Sequence, residues 1–170
     1  MTFNKEVFST NCAINNGELT IAGIKATTLA KEFGTPLFVL DEMDFRSRAK
    51  SWKSSLDKHF GANAGEVYYA AKSFICVEVA KMVAESGIGI DVCTGGELAV
   101  ALAANFPPER IELHGNNKSN LEIEAAISAG VSRIVIDSLQ EIERVQNIAA
   151  KVLLFFTYNG PFEDLRSIEE

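Results

Sequence analysis

The sequence predicts an α/β protein built on a parallel sheet, and two observations carry that reading. Beyond Gly61, short apolar strand-forming runs alternate with amphipathic helical stretches, the pattern of βα units laid side by side. Strand ends at Asp91, His114 and Asp137 recur at equal intervals, so the units match in length. Both a doubly wound open sheet and part of a (β/α)8 barrel accommodate this pattern. A whole barrel takes about 250 residues, so a chain of 170 residues supplies only part of one.

The elements follow in order. Residues 1–34 open polar and turn-rich, and a short helical pattern at 27–33 stops at Gly34. "LFVLD" (37–41) reads as a strand after the Gly34-Thr35-Pro36 break. A helix over 41–60 places Phe45, Ala49, Trp52 and Leu56 at helical spacing, with Asp41 as its N-cap. Strands are then predicted at 66–71, 88–92, 111–115, 133–137 and 151–156, separated by helices at 75–86, 96–106, 119–130 and 138–150. Three segments result: an N-terminal strand and helix segment (1–60), a partial (β/α)8 barrel (61–154) cut off after about five parallel strands, and a divergent tail (155–170) with no element that closes a sheet.

Composition bounds the function. A net charge of −7 and an isoelectric point near 4.9 disfavour nucleic acid, whose phosphates such a surface repels. No apolar run is long enough to cross a bilayer, and the N-terminus lacks a signal-peptide layout, so a cytoplasmic protein without a membrane partner is expected. Cys12, Cys76 and Cys93 show no disulfide framework. Cys93 and His114 fall short of the ligand count of a zinc site, so no metal is expected.

Polar residues at the C-terminal ends of parallel strands face the ligand side in either architecture. Lys72 follows an apolar strand beside two alanines, placed either to cap the strand in water or to attack a carbonyl as a neutral amine. Asp91 either neighbours that lysine or caps a helix. In "TGGEL", Gly95 and Gly96 open a helix that could bind an anion, but Thr94 and Glu97 also form the ends of a capping box. In "HGNNKS", His114, Asn116 and Lys118 could reach a ligand, and Ser119 can cap the next helix. No catalytic triad stands out.

Five motifs occur together and in order: "GTPLFVLDE" (34–42), "YYAAKS" (68–73), "GIGIDVCTGGEL" (87–98), "HGNNKS" (114–119) and "IVIDSLQEIERV" (134–145). In them the chain resembles the N-terminal part of the diaminopimelate decarboxylases, within the alanine-racemase-like (fold type III) pyridoxal-phosphate enzymes that include ornithine and arginine decarboxylases and racemases. The resemblance implies a (β/α)8 barrel with a C-terminal β-domain, a homodimer, pyridoxal 5'-phosphate as cofactor, and release of CO2 from meso-2,6-diaminopimelate to leave L-lysine. Lys72 would be the catalytic residue and carry the cofactor covalently. Asp91, Glu97 and His114 would line the cofactor site. The family's phosphate loop and the acid facing the pyridine nitrogen would lie beyond this chain's end, so a truncated form without full activity, or a non-catalytic cofactor-binding fragment, is the accompanying expectation.

Overall fold

The computed structural model describes residues 8–149 except residue 63, together with the backbone of a strand at Phe155–Tyr158. The chain divides between Ser54 and Ser55 into two compact units.

The first unit holds an antiparallel sheet of β1 (Cys12–Asn15), β2 (Glu18–Ile21) and β3 (Ile24–Lys25), in that order. Asn16 (φ 52°) and Gly17 (φ 80°) turn β1 into β2. Two successive positive φ angles define the tight hairpin turn that Asn-Gly pairs favour. Helix α1 (Ala26–Phe33) follows and stops at Gly34. The strand predicted at 37–41 does not form: among the described residues that stretch has no ladder partner, and Phe38 is 98% exposed. Apolar and β-branched composition favours an extended backbone, but only a neighbouring edge turns it into a strand.

Helix α2 (Glu42–Phe60) starts as predicted, with the Asp44 N–H donating to Asp41 Oδ1 at 3.1 Å. Asp41 also accepts from Asn11 (2.9 Å), while Asp44 accepts from the Thr10 backbone (3.1 Å), the Thr10 hydroxyl (2.8 Å) and Arg48 (2.7 Å). Two aspartates therefore tie the hairpin to the helix start. Of the predicted apolar stripe on α2, Ala49 is buried but Trp52 is exposed.

The second unit contains β4 (Tyr68–Ala70), a 3-10 turn (Ala71–Ser73), α3 (Val77–Glu85), β5 (Gly89–Val92), α4 (Gly95–Ala103), β6 (Ile111–Leu113), α5 (Asn120–Ala129), β7 (Arg133–Ile136), α6 (Leu139–Ala149) and β8 (Phe155–Tyr158). The five strands pair in sequence order and all in parallel, forming an open part of a (β/α)8 barrel. Residues 151–154 of the predicted fifth strand lie outside the described residues. The strand at Phe155–Tyr158 pairs with β7 inside the segment expected to be a divergent tail.

Register separates two faces. Ile90, Val92, Ile111, Leu113, Ile134 and Ile136 are all buried, as are Val83, Leu98, Ile123 and Val145 of the helices. Each such side chain contributes roughly 1.5–3 kcal/mol. The intervening residues occupy the other face, where Ala70, Asp91, Glu112 and Arg133 share one rung. Arg133 donates to Glu66 at 2.7 Å and to the Tyr68 hydroxyl, and lies 3.9 Å from Glu112. Burial, reinforced by Glu66, pushes the Tyr68 phenol up to about 12. Burial and the nearby Asp91 likewise raise Glu112 above the ordinary carboxylate range.

Glu122 closes two helices at once. Its Oε2 accepts from the Ser119 N–H (2.8 Å) while the Ser119 hydroxyl accepts from the Glu122 N–H (3.3 Å), and its Oε1 accepts from the Gly95 N–H at 2.8 Å. The Ser119 and Gly95 N–H groups hold this carboxyl below its ordinary value of 4.5. A folded-state value below the unfolded one stabilises the fold above about pH 4.5, and that contribution disappears as pH falls through the lowered value. Glu122→Gln is expected to cost about 1 kcal/mol at pH 7, and the gap between the two proteins should close on acidification. Urea unfolding at pH 7 and pH 3 checks both.

Candidate active site

The ends of β4, β5, β6 and β7 surround a cavity of about 320 Å³ lined by Lys72, Cys93, His114, Gly115, Asn116 and Asp137. Four consecutive strands each contribute, because parallel pairing in register brings their C-terminal ends to one edge.

Lys72 lies in the 3-10 turn after β4 rather than on the strand itself. That turn is pinned on both sides: Ser73 Oγ donates to the Ala70 carbonyl (2.8 Å), and the Tyr69 hydroxyl donates to the Phe74 carbonyl (2.7 Å). The Lys72 side chain is exposed, opens onto the cavity, and has no hydrogen bond or ion pair among the described residues. An amine so placed is available to a carbonyl.

Asp91 and Cys93 project from β5 two residues apart, and His114 follows β6 on the adjoining strand. The His114 N–H donates to the Val92 carbonyl at 2.8 Å, which continues the ladder past Leu113. His114 Nδ1 stands 3.7 Å from Asp91 Oδ2, whereas Asp91 Oδ1 is buried without a hydrogen-bond partner among the described residues. Asp91 stands on the strand adjoining the one that Lys72 follows; its contact is with His114, and no ion pair joins it to Lys72 among the described residues. Burial, then Asp91 and Glu97, raise the Cys93 thiol above its ordinary value.

Gly115 brings the β6–α5 loop against β5. Its φ is +104°, and a Cβ there would stand 3.0 Å from the Cys93 carbonyl oxygen. Any side chain would lift His114 and Asn116 away from the cavity.

Glu97 is absent from the cavity lining. Its Oε2 accepts from the Cys93 N–H at 2.6 Å, and its N–H donates to Thr94 Oγ1 at 3.2 Å. The capping reading therefore describes this residue, and it reaches the site only through the Cys93 backbone. With the Gly95 N–H given to Glu122 and the Glu97 N–H to the Thr94 hydroxyl, two donors of the α4 N-terminus are already committed within the protein.

Lys118 also departs from expectation. It is buried, donating to the Gly115 carbonyl and to the Val135 carbonyl (2.7 Å), and its Nζ lies 3.1 Å from Glu141 Oε2. The buried Glu141 accepts in turn from the Asp137 N–H at 3.0 Å, and Arg144 donates to the Lys118 carbonyl at 2.7 Å. Sequence reasoning missed Glu141. The signal was present as Ser138-x-x-Glu141, the same spacing as Ser119-x-x-Glu122.

A lysine amine, an imidazole and carboxylates are gathered at the strand ends of a (β/α) sheet, the edge at which such folds place their ligands. The family model for the pyridoxal binding domain of the pyridoxal-dependent decarboxylases matches residues 42–160, and the chain belongs to that family. The match runs past residue 155, where the tail was expected to diverge. The chain is 58% identical over 135 residues to the diaminopimelate decarboxylase of Mycobacterium tuberculosis, covering 79% of this chain and 29% of that protein. Identity to the Mycobacterium leprae enzyme is 55%, over 79% of this chain and 28% of the relative. Among solved structures, diaminopimelate decarboxylase from M. jannaschii superposes with a TM-score of 0.77 at 27% identity, over 88% of this chain and 36% of that one. The chain thus spans 29% or less of these curated relatives' length.

Removing one partner of a buried ion pair strands the other, at roughly 3–5 kcal/mol. Lys118→Met is therefore expected to lower unfolding free energy by that order, and Lys118→Met with Glu141→Leu to recover a large part of it. Denaturant melts of the two variants decide the matter; an unaffected single variant would contradict the clamp.

Proposed function

We propose that this chain forms the cofactor-binding part of a decarboxylase that acts on meso-2,6-diaminopimelate, with pyridoxal 5'-phosphate held on Lys72. The observation that carries the reading is a lysine amine unpaired among the described residues, on a cavity built from four strand ends, in a chain 58% identical over 135 residues to the diaminopimelate decarboxylase of Mycobacterium tuberculosis. The residues fit the group: the Lys72 amine is open to the cavity, and Asp91 Oδ1 is a buried acceptor without a donor. When bound, pyridoxal phosphate supplies an electron sink for the pair left behind as CO2 departs.

Lys72 would hold the cofactor through its nitrogen and, at the cavity wall, would be the residue placed to carry a proton. Asp91 orients the His114 ring from 3.7 Å, and His114 and Asn116 fill one side of the cavity. The Gly95 N–H at the start of α4, given to Glu122, is not free for the cofactor's phosphate. A related structure from M. jannaschii is a co-complex with L-lysine, at 26% identity and a TM-score of 0.75. L-lysine is what loss of CO2 from diaminopimelate leaves. The family resemblance supports a homodimer, and the lack of any helix long and apolar enough to cross a membrane among the described residues is compatible with the cytoplasmic placement we propose.

Mixing the chain with pyridoxal phosphate and reducing with borohydride should fix one cofactor to the peptide carrying Lys72, with no label in Lys72→Ala. Equal labelling of the variant would remove Lys72 from the reading. Under conditions of turnover, CO2 release from meso-diaminopimelate should exceed that from L-ornithine or L-arginine by at least about a hundredfold; parity would move the protein to another branch of the family.

A further inference from the structure

We infer that, without its cofactor, the site takes up a thiophilic divalent cation, Zn2+ in particular, on Asp91, Cys93 and His114. One ligand atom from each of these residues lies within 4.8 Å of the other two. Their positions follow from the sheet. Asp91 and Cys93 alternate onto the same face of β5, and Cys93 and His114 each follow the paired residues Val92 and Leu113. Two neighbouring strands, held by the His114-to-Val92 hydrogen bond and by Gly115 against the Cys93 carbonyl, thereby form a rigid three-point frame.

The donor set selects the ion. Zinc takes thiolate at about 2.3 Å, imidazole nitrogen at about 2.0–2.1 Å and carboxylate oxygen at about 2.0–2.2 Å, which spaces tetrahedral ligands by about 3.5 Å. The three atoms, now within 4.8 Å of one another, need to close by up to about 1.3 Å to reach that spacing. A mixed sulfur, nitrogen and oxygen set suits Zn2+ and disfavours Mg2+ or Ca2+, which require oxygen ligands. The Asp91 carboxylate faces His114 through Oδ2, 3.7 Å from Nδ1, and its Oδ1 is buried with no hydrogen-bond partner among the described residues. Cys93 and His114 open onto the cavity, which leaves the fourth position to water, as in zinc sites that keep one exchangeable ligand.

Binding replaces the thiol proton of Cys93 by the metal and releases it to solvent; no oxidant or reductant takes part. Cation and cofactor then exclude one another. This last consequence rests on the function proposed above, since His114 and Asp91 serve both.

Co2+ tests the site directly on the cofactor-free chain. One equivalent should produce a thiolate-to-cobalt charge-transfer band in the near ultraviolet and the strong visible bands of a tetrahedral centre, and Zn2+ should abolish both. Cys93→Ser should remove the charge-transfer band, and His114→Gln should weaken affinity at least about tenfold. Cys76→Ser should change neither, and far-ultraviolet circular dichroism of each variant monitors its fold. A charge-transfer band that survives in Cys93→Ser, or octahedral weak-field spectra throughout, would overturn the site. Retention of the fold with loss of the band in Cys93→Ser alone would support it.

The competition is read separately: one equivalent of Zn2+ should lower borohydride-trapped cofactor on the chain at least about tenfold. Unchanged trapping alongside a normal cobalt titration would overturn the exclusion and leave the metal site standing. Failure of trapping without any metal would count against the proposed function, while the cobalt spectra still decide the site.

Discussion

Carboxylates turned back onto their own helix starts hold the edge of the sheet where the cavity forms. Glu97 accepts from the Cys93 N–H and Glu141 from the Asp137 N–H, each just after a β-strand, and Glu122 from the Ser119 N–H at the end of the β6–α5 loop. A helix N-terminus leaves several N–H groups without intrahelical acceptors and carries partial positive charge, so a nearby carboxylate gains both a hydrogen bond and a favourable dipole. Here the gain has a further consequence. Cys93 and Asp137 belong to the cavity wall, and their backbones are fixed by helix caps rather than by any ligand.

The same constraint separates what the two faces of the sheet do. Isoleucine, leucine and valine occupy one face and are sealed, whereas Asp91, Glu112 and Arg133 line up on the other. A row of acid, acid and base on adjacent strands is tolerable because Arg133 lies between Glu66, Tyr68 and Glu112, so its charge is shared among them. Asp91, one strand further from that arginine, retains a buried oxygen without a donor. Buried acceptors left unpaired are costly, and this one lies beside His114 next to the cavity, where the proposed chemistry takes place.

The alternation of strands and helices was legible because each helix stripe and each strand run carries its own period, and those periods survive without knowledge of neighbours. Pairing was harder. "LFVLD" has strand composition but no neighbouring edge, while the β1–β2 hairpin was missed although Asn16-Gly17 is a strong turn signal. At the site, Lys72 and His114, singled out from their positions after strands, both line the cavity. Glu97 and Lys118 were ambiguous for a shared reason: the same residue types serve as ligands or as caps and clamps, depending on which backbone groups lie within about 3 Å. That distance is a property of packing between units, and no single motif records it.

The two lysines at this edge show how packing resolves the ambiguity. Lys118 has three N–H donors and three acceptors around it, the carbonyls of Gly115 and Val135 and the Glu141 carboxylate. An ammonium whose donors are all taken, sealed from solvent, has no lone pair to offer and no path for a substrate to approach. Its work is to bind the β6–α5 loop to the end of β7. Lys72, in a 3-10 turn whose flanking residues supply the local hydrogen bonds, is spared that role. Its amine opens onto the cavity, where the proposed bond to a carbonyl would form and break without disturbing the fold. A covalent anchor must also let go, so the lysine suited to it is the one the structure does not depend on.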